Sequence, residues 1–199
     1  MSRLEQQMNF IFEMDKIKNI TRQTYISDGS RKENDAEHSW HLALMAIVLS
    51  EYANEKIDVL KVISMVLIHD LIEIDAGDTY AYDEENNKSK EMREQKAADR
   101  IFHILPKDQE VYLRGLWEEF EEGVTMEAKF SAALDKVQPT MLNDAASGVS
   151  WKEHDVKISQ ILKRNQHTKD GSTELWEFAL ENYLEPNVKK GAIKDDRNE

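Results

Sequence analysis

The stretch DVLKVISMVLIHDLIEIDAGD, residues 58–78, decides the fold. Val59, Leu60, Val62, Ile63, Met65, Val66, Leu67, Ile68, Leu71, Ile72 and Ile74 cover every side of a helix built from it, and a helix that is apolar all round belongs in the middle of a protein. Asp58 is placed to accept from the first N–H groups of that helix, and Gly77 ends it. A buried helix needs other helices around it, and the flanking sequence supplies them. Leu4, Met8, Ile11, Phe12 and Ile17 recur at three- and four-residue spacing and predict a helix over 4–21; further helices are expected over 36–53, 91–105, 108–122, 126–146, 152–166 and 173–184. Pro106, Gly123 and Gly148 separate them, while Asp28-Gly29-Ser30 marks a polar loop over 24–35. The chain of 199 residues holds only 7 Gly and 3 Pro and no useful strand-like alternation, so the expectation is all-α: a single compact multi-helix domain over 1–185, then a charged, flexible tail over 186–199.

Composition narrows the function. A chain with 40% hydrophobic residues can build a substantial core without cross-links. The balance of 26 Lys and Arg against 39 Asp and Glu gives a net charge of −13, which repels a nucleic-acid polymer. There is no cysteine, so any metal must be held by nitrogen and oxygen, a composition that suits the cytoplasm. The apolar run Leu42–Leu49 falls well short of the ~20 residues that span a bilayer, and the acidic N-terminal segment does not read as a secretion signal; a soluble, cytoplasmic protein that does not enter membranes is expected.

Against this background the polar residues of the central stretch stand out. His69, Asp70 and Glu73 interrupt its most apolar part, and an unpaired buried carboxylate costs several kcal/mol. Positions 69 and 73, and 70 and 73, share a helix face, so the three side chains can enter one cavity. Taken alone, a His-Asp pair is ordinarily just a buried hydrogen bond. Two more apolar helices carry similar residues, however: Glu37-His38-Ser39-Trp40-His41 opens one, and Asp135 sits inside Ala132-Ala133-Leu134-Asp135-Lys136-Val137. Candidate ligands on three buried helices point to a metal ion.

The order His38, His69-Asp70, Asp135 resembles the H…HD…D signature of the HD-domain phosphohydrolase superfamily. Glu37-His38-Ser39, the run His69-Asp70-Leu71-Ile72-Glu73-Ile74-Asp75-Ala76-Gly77-Asp78 and Glu127-Ala128-Lys129-Phe130 look like the branch that contains bacterial and eukaryotic 5'-deoxynucleotidases; the similarity covers roughly residues 5–165. The resemblance implies that His38, His69, Asp70 and Asp135 bind one divalent cation, with manganese, cobalt, iron, nickel, zinc and magnesium all compatible with the donor set. It implies that Glu73 and Asp78 are catalytic, Glu73 accepting or orienting a proton and Asp78 contacting the substrate sugar or positioning water. Arg22 becomes the substrate-binding candidate, with Gln23-Thr24-Tyr25 standing where relatives commonly have an arginine and a tryptophan closer together. Tyr25 is then a candidate ring for the base, Arg31 and Lys32 are alternative anion contacts, and His41 is read as a supporting or core residue.

The expected partner is a small-molecule phosphate ester, foremost a (deoxy)nucleoside 5'-monophosphate cleaved to nucleoside and phosphate. Two alternatives stay open: another phosphate ester (a nucleoside triphosphate, cyclic dinucleotide or alarmone), or a non-catalytic helical module that binds metal or nucleotide. The resemblance also implies a homodimer, and the polar segment 78–90 is a candidate lid.

Overall fold

The computed structural model describes residues 1–77 and 90–197. Its elements are α1 (Arg3–Met14), β1 (Thr21–Tyr25), β2 (Lys32–Asn34), α2 (Asp35–Leu49), α3 (Val59–Ile68), α4 (Glu73–Ala76), α5 (Lys90–Phe102), α6 (Lys107–Glu122), α7 (Met126–Ala145), α8 (Val149–Glu153), α9 (Ile158–Arg164), α10 (Thr168–Gly171), α11 (Thr173–Ala179) and α12 (Glu185–Lys189). Helices dominate, as the apolar periodicity requires. Side-chain oxygens start them: Ser2 caps α1, Asn34 caps α2 in a reciprocal box with Glu37, Asp58 accepts from Leu60 and Lys61 at the head of α3, and Thr125 caps α7.

The packing of α3 places it at the centre. Met65 and Ile68 join Phe10, Ile72, Ile101, Phe102 and Trp117 in one apolar cluster, while Val62 and Val66 join Leu42, Met45, Phe130, Leu134 and Leu175 in another. Each such side chain contributes about 1.5–3 kcal/mol by leaving water. A third cluster, with Trp151, Ile158, Ile161, Leu184 and Ile193, closes the C-terminal end.

Four expectations are corrected. The helix over 59–77 is broken: His69 N still donates to Met65 O at 2.9 Å, but Leu71 N reaches Ile68 O and Glu73 N reaches Asp70 O, the tighter i−3 pattern of a turn. Nor is it enclosed all round, because Leu60 is 72% exposed and Leu67 45%. The loop over 24–35 is largely an antiparallel hairpin, with Thr21 opposite Asn34 and Tyr25 opposite Lys32, turned at Gly29, whose φ of +70° suits glycine. A two-stranded ribbon this short leaves little periodicity to read. The helix over 152–166 is two pieces, α8 and α9, separated where Asp155 takes a φ of +56°.

The fourth correction concerns the tail. Residues 186–197 pack onto the domain: Ile193 is 1% exposed, Ile158 N donates to Lys194 O, Lys194 N donates to Val156 O, and buried Asn187 donates to Asp144 at 2.6 Å. Two apolar residues, Ala192 and Ile193, are enough to anchor a segment whose composition is otherwise charged. The backbones of α10 and α7 approach closely. A Cβ on Gly171 would lie 2.1 Å from Lys129 O, so only glycine lets the two backbones approach this far.

Candidate metal centre

Three helices and one strand deliver the polar residues to one place. His38 lies one turn into α2 and is fully buried; His69 ends α3; Asp70 begins the turn after it; Asp135 projects from the middle of α7. Pro139 has no N–H, so the Asp135 carbonyl loses its usual helical donor at the level of the cluster. His38 Nε2 stands 2.9 Å from Asp135 Oδ1 and 3.9 Å from Asp70 Oδ2; His69 Nε2 stands 3.1 Å from Asp70 Oδ2 and 3.7 Å from Asp135 Oδ1. Donor atoms bound at about 2.1 Å to one cation lie roughly 3–3.5 Å from one another, so these spacings fit a single divalent ion.

The atoms behind the donors fit it too. His69 Nδ1 lies 3.0 Å from the Val66 carbonyl, which only accepts, so Nδ1 carries a hydrogen and Nε2 faces the cluster. His69 Nε2 is buried and makes no hydrogen bond of good geometry. His38 Nδ1 donates to Gln138 Oε1 at 3.0 Å, and Gln138 Nε2 donates to Glu33 Oε1 at 2.8 Å, with His41 Nδ1 also 3.2 Å away. The Phe120 ring covers His69 at 5.0 Å between centroids.

Electrostatically the centre calls for a cation. Burial alone would lower the pKa of His69, yet the Asp70 and Asp135 carboxylates overcome it and push the imidazole up to about 10. Burial likewise favours protonated Asp70 and Asp135, but His69 and Arg22 hold Asp70 well below the usual carboxylate range, and Lys136 and His38 do the same for Asp135. A second trio of acids, Asp35, Asp70 and Glu73, brings carboxylate oxygens within 4.8 Å of one another. Asp35 is fully buried, and burial together with the Asp70 charge raises it to about 6 despite Arg22. Arg22 reaches in from β1, with Nη1 3.0 Å from Asp35 and 2.7 Å from Asp70, and Nη2 3.9 Å from Asp135.

The structure therefore brings His38, His69, Asp70, Asp135, Arg22 and Glu73 together. Asp78 and the segment 78–90 lie outside the described residues, apart from the helical backbone of Lys90. The alternative anion contacts are elsewhere: Arg31 forms a two-pronged pair with Glu37, Lys32 donates to Gln23, and the Tyr25 hydroxyl donates to Glu153. His41 supports the centre through Gln138. Sequence reasoning missed Glu33, Asp35 and Gln138. Asp35 reads as an ordinary first-turn acid of α2, and Glu33 and Gln138 give no signal until the hairpin and α7 bring them behind His38.

Comparison with known proteins bears on the family and the fold. The family model described as "HD domain" matches residues 14–176. The human and mouse proteins named 5'-deoxynucleotidase HDDC2 are 28% and 29% identical to this chain over 132 residues, 66% of its length; the matched part spans 63% and 65% of those relatives. A crystal structure described as a predicted metal-dependent phosphohydrolase, from Magnetospirillum magnetotacticum, superposes with a TM-score of 0.91 at 45% identity and covers 96% of both chains. An HD-domain phosphohydrolase from Listeria innocua, at 20% identity and a TM-score of 0.64 over 94% of this chain and 92% of that one, supports the fold alone. With the family model spanning residues 14–176, the fold shared with a metal-dependent phosphohydrolase and a His38, His69 and Asp135 cluster able to hold a metal ion, the chain belongs to the HD-domain family.

Proposed function

We propose that the protein is a phosphomonoesterase that hydrolyses nucleoside 5'-monophosphates, deoxyribonucleotides foremost, to nucleoside and inorganic phosphate. The observation that carries this reading is the contact between Arg22 and Asp70: an anion-binding guanidinium is built into the edge of a His/Asp cation site. A phosphate monoester needs both, a cation for its charge and a planar donor for its oxygens. The 5'-deoxynucleotidase name of the matched relatives points the same way, although they share under a third of their aligned residues with this chain.

In this reading His38, His69, Asp70 and Asp135 hold one divalent ion of the manganese, cobalt, iron, nickel, zinc or magnesium type. Such an ion supplies acidification of a water molecule and neutralisation of phosphoryl charge. Arg22, held by Asp35, orients the phosphate. Glu73, close to Asp35 and Asp70, takes the proton from the attacking water, and Asp78 contacts the sugar. Glu33 and Gln138 keep His38 in the tautomer whose Nε2 faces the ion.

The same reading places the protein in the cytoplasm as a homodimer. Leu4, Met8, Ile11 and Phe12 form an exposed apolar stripe on α1, and Trp40, Leu44, Ile47 and Val48 form another on α2; both suit a second copy. A monomer in light scattering at micromolar concentration would refute the dimer. The decisive assay is phosphate release from deoxyribo- and ribonucleoside 5'-monophosphates by chelated enzyme resupplied with manganese, cobalt, zinc or magnesium. Metal-dependent release, stronger with deoxyribonucleotides, is expected. Silence across the panel with metal bound would overturn the assignment.

A further inference from the structure

Asp135 divides its two carboxylate oxygens between different partners. Oδ1 faces the two imidazoles, 2.9 Å from His38 Nε2 and 3.7 Å from His69 Nε2. Oδ2 accepts from Lys136 Nζ at 2.6 Å, a short charge-assisted bond. Asp70 is arranged the other way: its Oδ2 alone stands 3.1 Å from His69 Nε2, 3.9 Å from His38 Nε2 and 2.7 Å from Arg22 Nη1. The cation beside Asp70 therefore shares the oxygen that faces the imidazoles, whereas the cation beside Asp135 occupies the other oxygen.

Helix geometry does not produce the Lys136 contact. Consecutive residues of a helix do not face each other, so Lys136 has to fold back to reach its neighbour. It does so where water competes weakly: the Lys136 side chain is 28% exposed and that of Asp135 10%. The backbone under the pair is braced from the next turn, where Thr140 Oγ1 donates to the Lys136 carbonyl at 2.9 Å. An ammonium group gives up water and side-chain freedom to sit there. What it achieves follows from the donor set. A carboxylate can bind a cation through one oxygen or through both, and every extra protein oxygen takes a position that water or a phosphate oxygen would use. Two imidazoles and two carboxylates leave the most room when each carboxylate gives a single oxygen.

We propose that Lys136 is a positioning residue: by occupying Asp135 Oδ2 it limits Asp135 to one oxygen toward the ion, and so keeps a coordination position open for water and substrate. The proposal rests on the part of the functional reading that makes His38, His69, Asp70 and Asp135 the ligands, and not on the reaction.

The test compares wild type, Lys136→Met and Lys136→Arg, each shown to be folded by a thermal scan of the chelated protein. Metal Kd is measured by titration, the number of water molecules on bound manganese by water-proton relaxation, and the coordination of bound cobalt by its visible absorption. Lys136→Met frees Oδ2 and removes a positive charge beside the ion. Metal Kd is then expected to stay the same or tighten, while the water number falls by about one and the cobalt spectrum changes. Lys136→Arg, which keeps a charged donor at Oδ2, should restore both signals. A residue that only supported its neighbour would instead lose affinity when removed. If Lys136→Met does not fold, Lys136→Ala takes its place. An unchanged water number and cobalt spectrum, or loss of metal from the folded variant, overturns the proposal. So does an unchanged water number with weaker binding of inorganic phosphate, which would assign Lys136 to the anion. A wild-type protein that takes up neither manganese nor cobalt refutes the ligand assignment and the proposal together. One that shows the water loss in Lys136→Met yet cleaves no nucleotide refutes the reaction alone.

Discussion

Replacing Gln138 by leucine isolates the layer behind the metal centre. Gln138 is fully buried and joins two groups that have no route to water: its Oε1 accepts from His38 Nδ1 at 3.0 Å and its Nε2 donates to Glu33 Oε1 at 2.8 Å. Leucine keeps the approximate volume and removes both bonds. An orphaned buried polar group costs about 1–3 kcal/mol, and here a neutral N–H and a carboxylate oxygen are orphaned together, so the variant should lose roughly 2–5 kcal/mol. His38 also loses the acceptor that fixes its tautomer, and loss of such a support typically weakens metal affinity about 10–100-fold. The assay is urea unfolding of the chelated protein, followed by titration with manganese or zinc. Gln138→Glu keeps an acceptor for His38 but sets a second carboxylate against Glu33; it should recover metal affinity more than stability. If Gln138→Leu matches wild type in both unfolding midpoint and metal Kd, the supporting role argued for Gln138 is wrong.

Other consequences can be measured independently. His69→Ala and Asp70→Ala should each abolish metal-dependent phosphate release, and full activity in both would end the metal mechanism. Glu73→Gln should keep the metal and lose most turnover if Glu73 handles a proton; equal turnover removes that role. The pKa of His69 is raised from its ordinary value near 6.5 to about 10 in the metal-free fold, so its protonation stabilises that fold fully below about 6.5 and the benefit disappears as pH rises toward 10. Metal must displace the same proton, so apparent metal affinity should rise by up to about tenfold per pH unit over that window, and a flat profile would show that His69 is not a ligand. Gly171→Ala forces a Cβ into the Lys129 carbonyl; overpacking of this kind costs about 1–3 kcal/mol. For a domain of this size that lowers the thermal midpoint by roughly 2–10 °C, and an unshifted midpoint would show that α10 yields freely.

The contrast between what could and could not be read from the sequence has a physical cause. The helices were legible because each buries a stripe of several residues, and periodicity averages over all of them. The charged residues of the centre were legible for the opposite reason: His69, Asp70 and Asp135 are costly in apolar helices unless something compensates them, so each stands out alone. Asp35, Glu33 and Gln138 escape both kinds of reading. Asp35 at the first position of α2 and Glu33 in a three-residue strand occupy places where an acid is ordinary, and Gln138 is an uncharged residue on a long helix. Their burial is created by tertiary contact, when the hairpin folds against the start of α2 and the middle of α7. The break after Ile68 is illegible for a related reason. The apolar pattern continues unaltered through Leu71, Ile72 and Ile74, and what differs is the hydrogen bonding of the turn, where Asp70 is drawn to Arg22 on the hairpin. A residue that compensates another's charge is visible only once the chain has folded, which is why the ligand positions can be nominated from the sequence while the acids and amide that hold them have to be found in the structure.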